Sequence, residues 1–393
     1  MTGGLHPLLS LLPPAGDWVW TVPAAVLGAV AGRLLTAWVG AMLASGAFGD
    51  PVARNVAVHR RIEVAAVAVA IGLWWWEVRC LGLGTGDGDV QGIAVEEVLV
   101  VRWIAHAVLC WLLAAAAWID LRHRVIPDCV TVPGVLAGLA CLWLFPDVLL
   151  PITHETPRSF APPLLVPDVL AWWGGLRMQA LPEWIGPWPH VAGLAMSAAI
   201  FSAWWSLLTV PFLSPVPAAA TADSVALWRR IEPRTLILPI GLAALAVAWA
   251  AGGDRFGGLQ SALVGLGVSA ALVWAVREGA SRALGREAMG LGDVTLMAMV
   301  GAWIGWQPSV LAFFIAAFIG LAHGAVQVIR HRESELPYGP SLCLAAVAVI
   351  VGWRPLWQWT GEAFAEPLEL AMVIGAVVLL TAVTLFVWAR IRG

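Results

Sequence analysis

The stretch Ala288-Met289-Gly290-Leu291-Gly292-Asp293-Val294 sets an acid at the head of a long apolar run, just behind two glycines that flank one residue. Glycine lets the backbone turn and approach closely, because it has no Cβ to clash. A carboxylate in or at the edge of a bilayer is expensive, roughly 2.5–3.5 kcal/mol at a helix centre. Two readings of Asp293 stand side by side. It N-caps the helix that follows, as Asp often does, or it carries chemistry together with a second group.

The surrounding composition says which solvent this acid meets. Hydrophobic residues make up 60% of the 393 and charged residues only 12%, and mean hydropathy is +0.84. That is far from soluble globular usage and fits a polytopic membrane protein. A net charge of −3 gives no ground for a nucleic-acid or polyanionic partner. All 22 basic residues are arginine, and the 25 tryptophans suit membrane–water interfaces. Five cysteines, Cys80, Cys110, Cys129, Cys141 and Cys343, form no CxxC pair, so neither a zinc site nor a redox pair has support. Cys110, Cys141 and Cys343 fall in apolar runs and read as small buried hydrophobes. No basic region precedes the first apolar run, so a cleaved signal peptide is not expected.

Apolar runs place spans at about 18–44, 62–79, 97–119, 129–149, 189–213, 235–251, 257–277, 293–306, 308–329, 339–353 and 367–389. The fold class is therefore all-α, a transmembrane bundle of about 11 spans. Arginines test its orientation. Fifteen, among them Arg60, Arg122, Arg124, Arg229, Arg277, Arg282 and Arg390, fall on one set of loops, six on the other side, and Arg33 inside the first span. By the positive-inside rule the amino terminus is outside and the carboxyl terminus cytoplasmic. The Pro- and Trp-rich segment 150–188 lies outside, and 214–234 is a cytoplasmic linker.

The second acid ends the span 97–119, in Trp118-Ile119-Asp120-Leu121-Arg122-His123-Arg124-Val125-Ile126-Pro127-Asp128. At a helix carboxyl end the macrodipole disfavours negative charge, so Asp120 has no capping explanation, although an ion pair with a neighbouring arginine would neutralise it. Asp128, after Pro127, reads as an N-cap. Four spans separate Asp120 from Asp293, an even number, which returns the chain to one face. Both acids then lie at the cytoplasmic membrane boundary. Two close carboxylates share one proton. The ionised one activates a water against a carbonyl while the other donates its proton, the chemistry of an aspartic protease, which needs no metal or cofactor.

Taken together these motifs resemble the type IV prepilin peptidases, membrane aspartyl proteases that share a GxGD signature with presenilin. Asp120 through Asp128 is similar to that family's first aspartate motif. Gly290-Leu291-Gly292-Asp293, running on to Gly301-Ala302-Trp303-Ile304-Gly305-Trp306, is similar to its second. Pro337-Tyr338-Gly339-Pro340 resembles its Pro-Phe-Gly-Pro element. The resemblance implies that Asp120 and Asp293 are the catalytic pair and that Gly290 and Gly292 admit substrate beside Asp293. Asp128, Pro127, Pro337, Gly339 and Pro340 are then structural near the site. It further implies an inner-membrane endopeptidase acting on prepilin or type II secretion pseudopilin precursors, with membrane lipid as its other partner. Many members carry two CxxC pairs in a cytoplasmic domain linked to methylation. The corresponding loop here, about 45–61, has no cysteine, so peptidase activity alone is expected. The family also has two spans between its aspartates where this chain has four. The resulting division is 1–96 amino-terminal spans, 97–149 and 256–353 the two core halves, 150–255 an insert and 354–393 a final span.

Other polar residues read as structural. Arg102, His106 and Asp120 share one helix face that points into the bundle, with Glu97 a partner for Arg102. His106 lies about 21 Å from Asp120 at helical rise, too far for chemistry. His323 reads as a core histidine, and Gly84-Thr85-Gly86-Asp87-Gly88-Asp89 as an outside turn. A transporter using the two acids as a proton or ion site is the rival reading. It calls for two symmetric halves, and the sequence shows no such symmetry.

Overall fold

The computed structural model describes residues 18–44, 56–80, 83, 93–150, 191–209, 234–285, 287–331, 338–365, 372 and 375. Every regular element among these residues is a helix. In chain order the helices are α1 (Thr21–Ala44), α2 (Val56–Leu73), α3 (Ile93–His123), α4 (Asp128–Leu144), α5 (Val191–Thr209), α6 (Arg234–Ala251), α7 (Gly253–Leu284), α8 (Leu291–Ile304), α9 (Trp306–His331), α10 (Gly339–Val351) and α11 (Trp353–Ala365). A π-helical turn, Trp74–Arg79, continues α2. Helices lie on ten of the eleven apolar runs. The eleventh, 367–389, falls outside the described residues except for 372 and 375, and the turn 84–89, most of the loop 150–188 and the linker up to 233 lie outside them altogether. By length and composition five helices can cross a membrane, or six if α10 and α11, bent by 86° at Gly352, form one span. The chain is thus an all-α, multi-pass membrane protein. Helix α11 had no counterpart among the apolar runs, because its sequence alternates tryptophan with polar and charged residues.

The arrangement centres on α8. Its sequence is apolar on every side, as a helix enclosed by others must be, and every residue from Asp293 to Ile304 is buried. Fourteen residues make about 21 Å of helix, short of the roughly 30 Å hydrocarbon core. That length is viable because protein rather than lipid surrounds it. The much longer α7 packs along it through small residues. A Cβ on Gly301 would meet the Gly265 carbonyl and the Ser269 hydroxyl, the close backbone approach by which membrane helices associate. Trp303 Nε1–H donates to the Gly134 carbonyl at 2.8 Å and ties α8 to α4. Gly305, at φ 84°, breaks the chain before α9.

A second polar cluster joins α3 to the π-helical turn. Arg102 and His106 on α3 are 2% and 1% exposed, so that face does point inward. Arg102 Nε–H donates to the Val148 carbonyl at 3.1 Å; the side chain of Glu97, its expected partner, is not among those described. His106 Nδ1 lies 2.8 Å from Glu77 Oε1 on the π-helical turn, with both side chains almost fully enclosed. Periodicity could not find this partner, 29 positions away. Cutting one member from a buried pair strands the other, at about 3–5 kcal/mol. Glu77→Ala and His106→Ala are therefore each expected to lower the melting temperature in detergent sharply, while the double replacement loses less than the two single losses added. Cys110 and Cys343 are buried and Cys141 partly so. His323, expected in the core, is only partly buried.

Candidate active site

Asp120 lies on the last full turn of α3, which ends at His123. Arg124 stops the helix in the left-handed region at φ 55°, a conformation that usually selects glycine, with its N–H donating to the Asp120 carbonyl at 2.8 Å. The chain then runs extended through Pro127, at φ −82° and ψ 139°, which is itself the N-cap of α4. Asp128 therefore does not cap. It occupies the first turn of α4, where its charge complements the helix dipole. The reversal delivers Ile126 to the centre of the site, an arrangement the sequence did not reveal.

Asp293 does not cap either. Gly290 is the N-cap of α8 and Asp293 sits in its first turn. The Gly290 backbone amide donates to the Asp293 carboxylate. On the other acid the donor is the backbone amide of Gly339, first residue of α10. The unfavourable carboxyl end of α3 is thus answered by the amino end of another helix, which is where an anion belongs. Pro340, in the same first turn, occupies a position where the missing N–H costs nothing. Pro337 lies outside the described residues.

The structure brings the two acids together. Asp120 is 5% and Asp293 7% exposed, and the charge of Asp120 acts on Asp293. Cys343 on α10 lies within electrostatic reach of both. Tyr338, the chain's single tyrosine and the N-cap of α10, lies within reach of Asp293. Its ring edge faces Gly320 of α9, 3.2 Å from where a Cβ would stand. The only sequence signal for Tyr338 was its place next to Gly339. Among the described residues no group of three or more His, Cys, Asp or Glu is placed to hold a metal ion. His106 belongs to the cluster with Glu77, away from the aspartates.

The two glycines before Asp293 differ in what they permit. A Cβ on Gly292 would stand 2.9 Å from Ile126 Cβ and 3.1 Å from the Ile126 carbonyl oxygen. On Gly290 it would find only Asp293 Oδ2 at 3.7 Å and the Gly292 nitrogen at 3.8 Å, ordinary contacts. Gly292→Ala is thus expected to cost about 1–3 kcal/mol as an overpacked contact and Gly290→Ala almost nothing. Thermal unfolding of the two variants in detergent checks the difference.

The type IV leader peptidase family matches residues 107–156 and 227–325, intervals that hold both aspartates but stop short of Tyr338-Gly339-Pro340. The chain is 32% identical over 133 residues to a prepilin leader peptidase/N-methyltransferase of Burkholderia pseudomallei, covering 33% of this chain and 42% of the relative. It is 32% identical over 146 residues to the protein of that name in Stutzerimonas stutzeri, covering 36% and 47%. The one in Pseudomonas aeruginosa is 35% identical over 104 residues, covering 26% and 34%. The chain thus spans less than half the length of each of these three. No solved structure matches.

Proposed function

We propose, from a core that resembles the type IV prepilin peptidases, that this chain is an aspartyl endopeptidase with Asp120 and Asp293 as its catalytic pair. One observation carries the reading. Two acids 173 positions apart in sequence come from different helices into one buried place, each with a backbone amide at its carboxylate. Two such groups in a low dielectric share a proton. The ionised one takes a proton from water as the water attacks the peptide carbonyl. The protonated one gives its proton to the carbonyl oxygen, and collapse of the tetrahedral intermediate expels the amine, which is protonated in turn.

The substrate class follows from the resemblance and the topology. Prepilin or pseudopilin precursors carry a basic leader before an apolar helix, and arginine counts place both aspartates on the cytoplasmic side of the inner membrane. Cleavage there leaves the apolar helix in the bilayer. Because loop 45–61 lacks cysteine pairs, we assign peptidase activity without N-methylation.

The test is incubation of the protein, reconstituted in lipid, with a synthetic precursor of that design. Mass spectrometry should show one cut at the leader junction and an unmethylated new amino terminus. Activity against pH is expected to be bell-shaped. At low pH both carboxyls are protonated and no base remains; at high pH both are ionised and no acid remains. Absence of cleavage across a panel of precursors, with acid-dependent proton flux instead, would favour a transporter.

A further inference from the structure

Arginine counts assign Arg277 to the cytoplasmic boundary, but the structure turns it inward. On α7 it is 5% exposed. Its Nε–H donates to the Met289 carbonyl at 2.9 Å, and its Nη2–H to Glu287 Oε1 at 2.7 Å. One turn further along the same face, the Ser281 hydroxyl accepts the Ala288 N–H at 3.0 Å. Each of the three consecutive residues 287–289 is thereby fastened to α7. The next residue is Gly290, which caps α8 and supplies the amide at the Asp293 carboxylate. The fastened stretch 287–289 thus runs directly into the cap of the helix that carries the acid.

We infer that Arg277 is a positioning residue for Asp293. Its planar guanidinium grips two acceptors in fixed directions, which a lysine ammonium on a flexible stem cannot copy. It thereby fixes the register in which the chain enters α8, and with it the depth and direction of the Asp293 side chain. The kinetic part of the inference rests on the peptidase reading; the ordering of the segment does not.

The test compares the full chain in lipid with R277K, R277Q and R282Q. Arg282 is the control: it sits on the same helix, 75% exposed, paired with Glu278 at 2.9 Å. Hydrogen–deuterium exchange of a peptide covering 286–293 should accelerate at least about tenfold in R277Q and measurably in R277K, with α7 and the rest of α8 unchanged. Misplacing a reacting group by about 1 Å costs on the order of 10²-fold. Accordingly kcat should fall about 10–100-fold in R277Q and about tenfold in R277K, with KM within about threefold of native, while R282Q behaves as native. Native kcat in both Arg277 variants, or unaltered exchange over 286–293, overturns the inference. So does acceleration spread evenly over α7 and α8, the mark of general destabilisation. If R277Q cannot be recovered folded, R277K decides by the same readings. A native chain that cleaves nothing defeats the peptidase reading and leaves the exchange result to judge the clamp.

Discussion

Asp120→Asn and Asp293→Asn are each expected to yield a folded, membrane-inserted protein whose cleavage rate is down by at least about 10²–10⁴-fold, the share that a positioned acid or base contributes. Asparagine keeps the shape, and its amide oxygen still accepts the backbone amide of Gly339 or Gly290. It cannot take a proton from water or return one. Stability should move the other way. Each native carboxylate is enclosed, at 5% and 7% exposure, and a buried charge is costly to hold. Each neutral variant should therefore melt no lower than native. Single-turnover cleavage and thermal unfolding on the same preparation read both effects. Loss of activity with unchanged or raised stability supports the dyad; native cleavage by either variant removes that residue from it.

That the two acids share one buried place was legible in the sequence because each interrupts or bounds an apolar run, and because the four apolar runs between them, an even number, predict a return to one face. Neither argument requires knowing which helices touch. Where contact matters, the reading stopped. Arg277 was counted as one more charge on a cytoplasmic loop, since nothing local says that its side chain turns toward residues ten and twelve positions later. Glu77 gave no sign that its partner was His106. Local rules also misplaced caps. Asp128 and Asp293 both follow residues that take the cap themselves: proline, whose φ suits entry to a helix, and Gly290, three residues upstream. Arg124 adopts a backbone angle that propensity would have given to glycine, because the chain must reverse there to bring Ile126 beside Gly292. Helix α11 was missed because a window tuned to uniform apolarity passes over a helix with one wet face.

Gly339→Ala isolates the geometry of the site from its chemistry. A Cβ at position 339 would run into Asp120 Oδ2 and stand 2.8 Å from Ile126 Cδ1. Both are the free ends of short side chains, so the fold accommodates the methyl group by moving them; no backbone has to shift. The group that moves is the carboxylate itself. It is pushed off the amide that now donates to it, and its relation to Asp293 changes. At about 10²-fold per ångström of misplacement, cleavage should fall roughly a hundredfold while the melting temperature stays within a few degrees of native. KM should change little, because substrate binding does not require the shared proton. Gly339→Val extends the series, since its branches add a further collision with the same carboxylate, and should be slower still. The contrast with Gly292→Ala is diagnostic. There the obstacle includes a backbone carbonyl, so stability falls along with activity. Should Gly339→Ala cleave as fast as native, the amide of Gly339 is not what holds Asp120 in its working position, and the amino end of α10 has no part in the site.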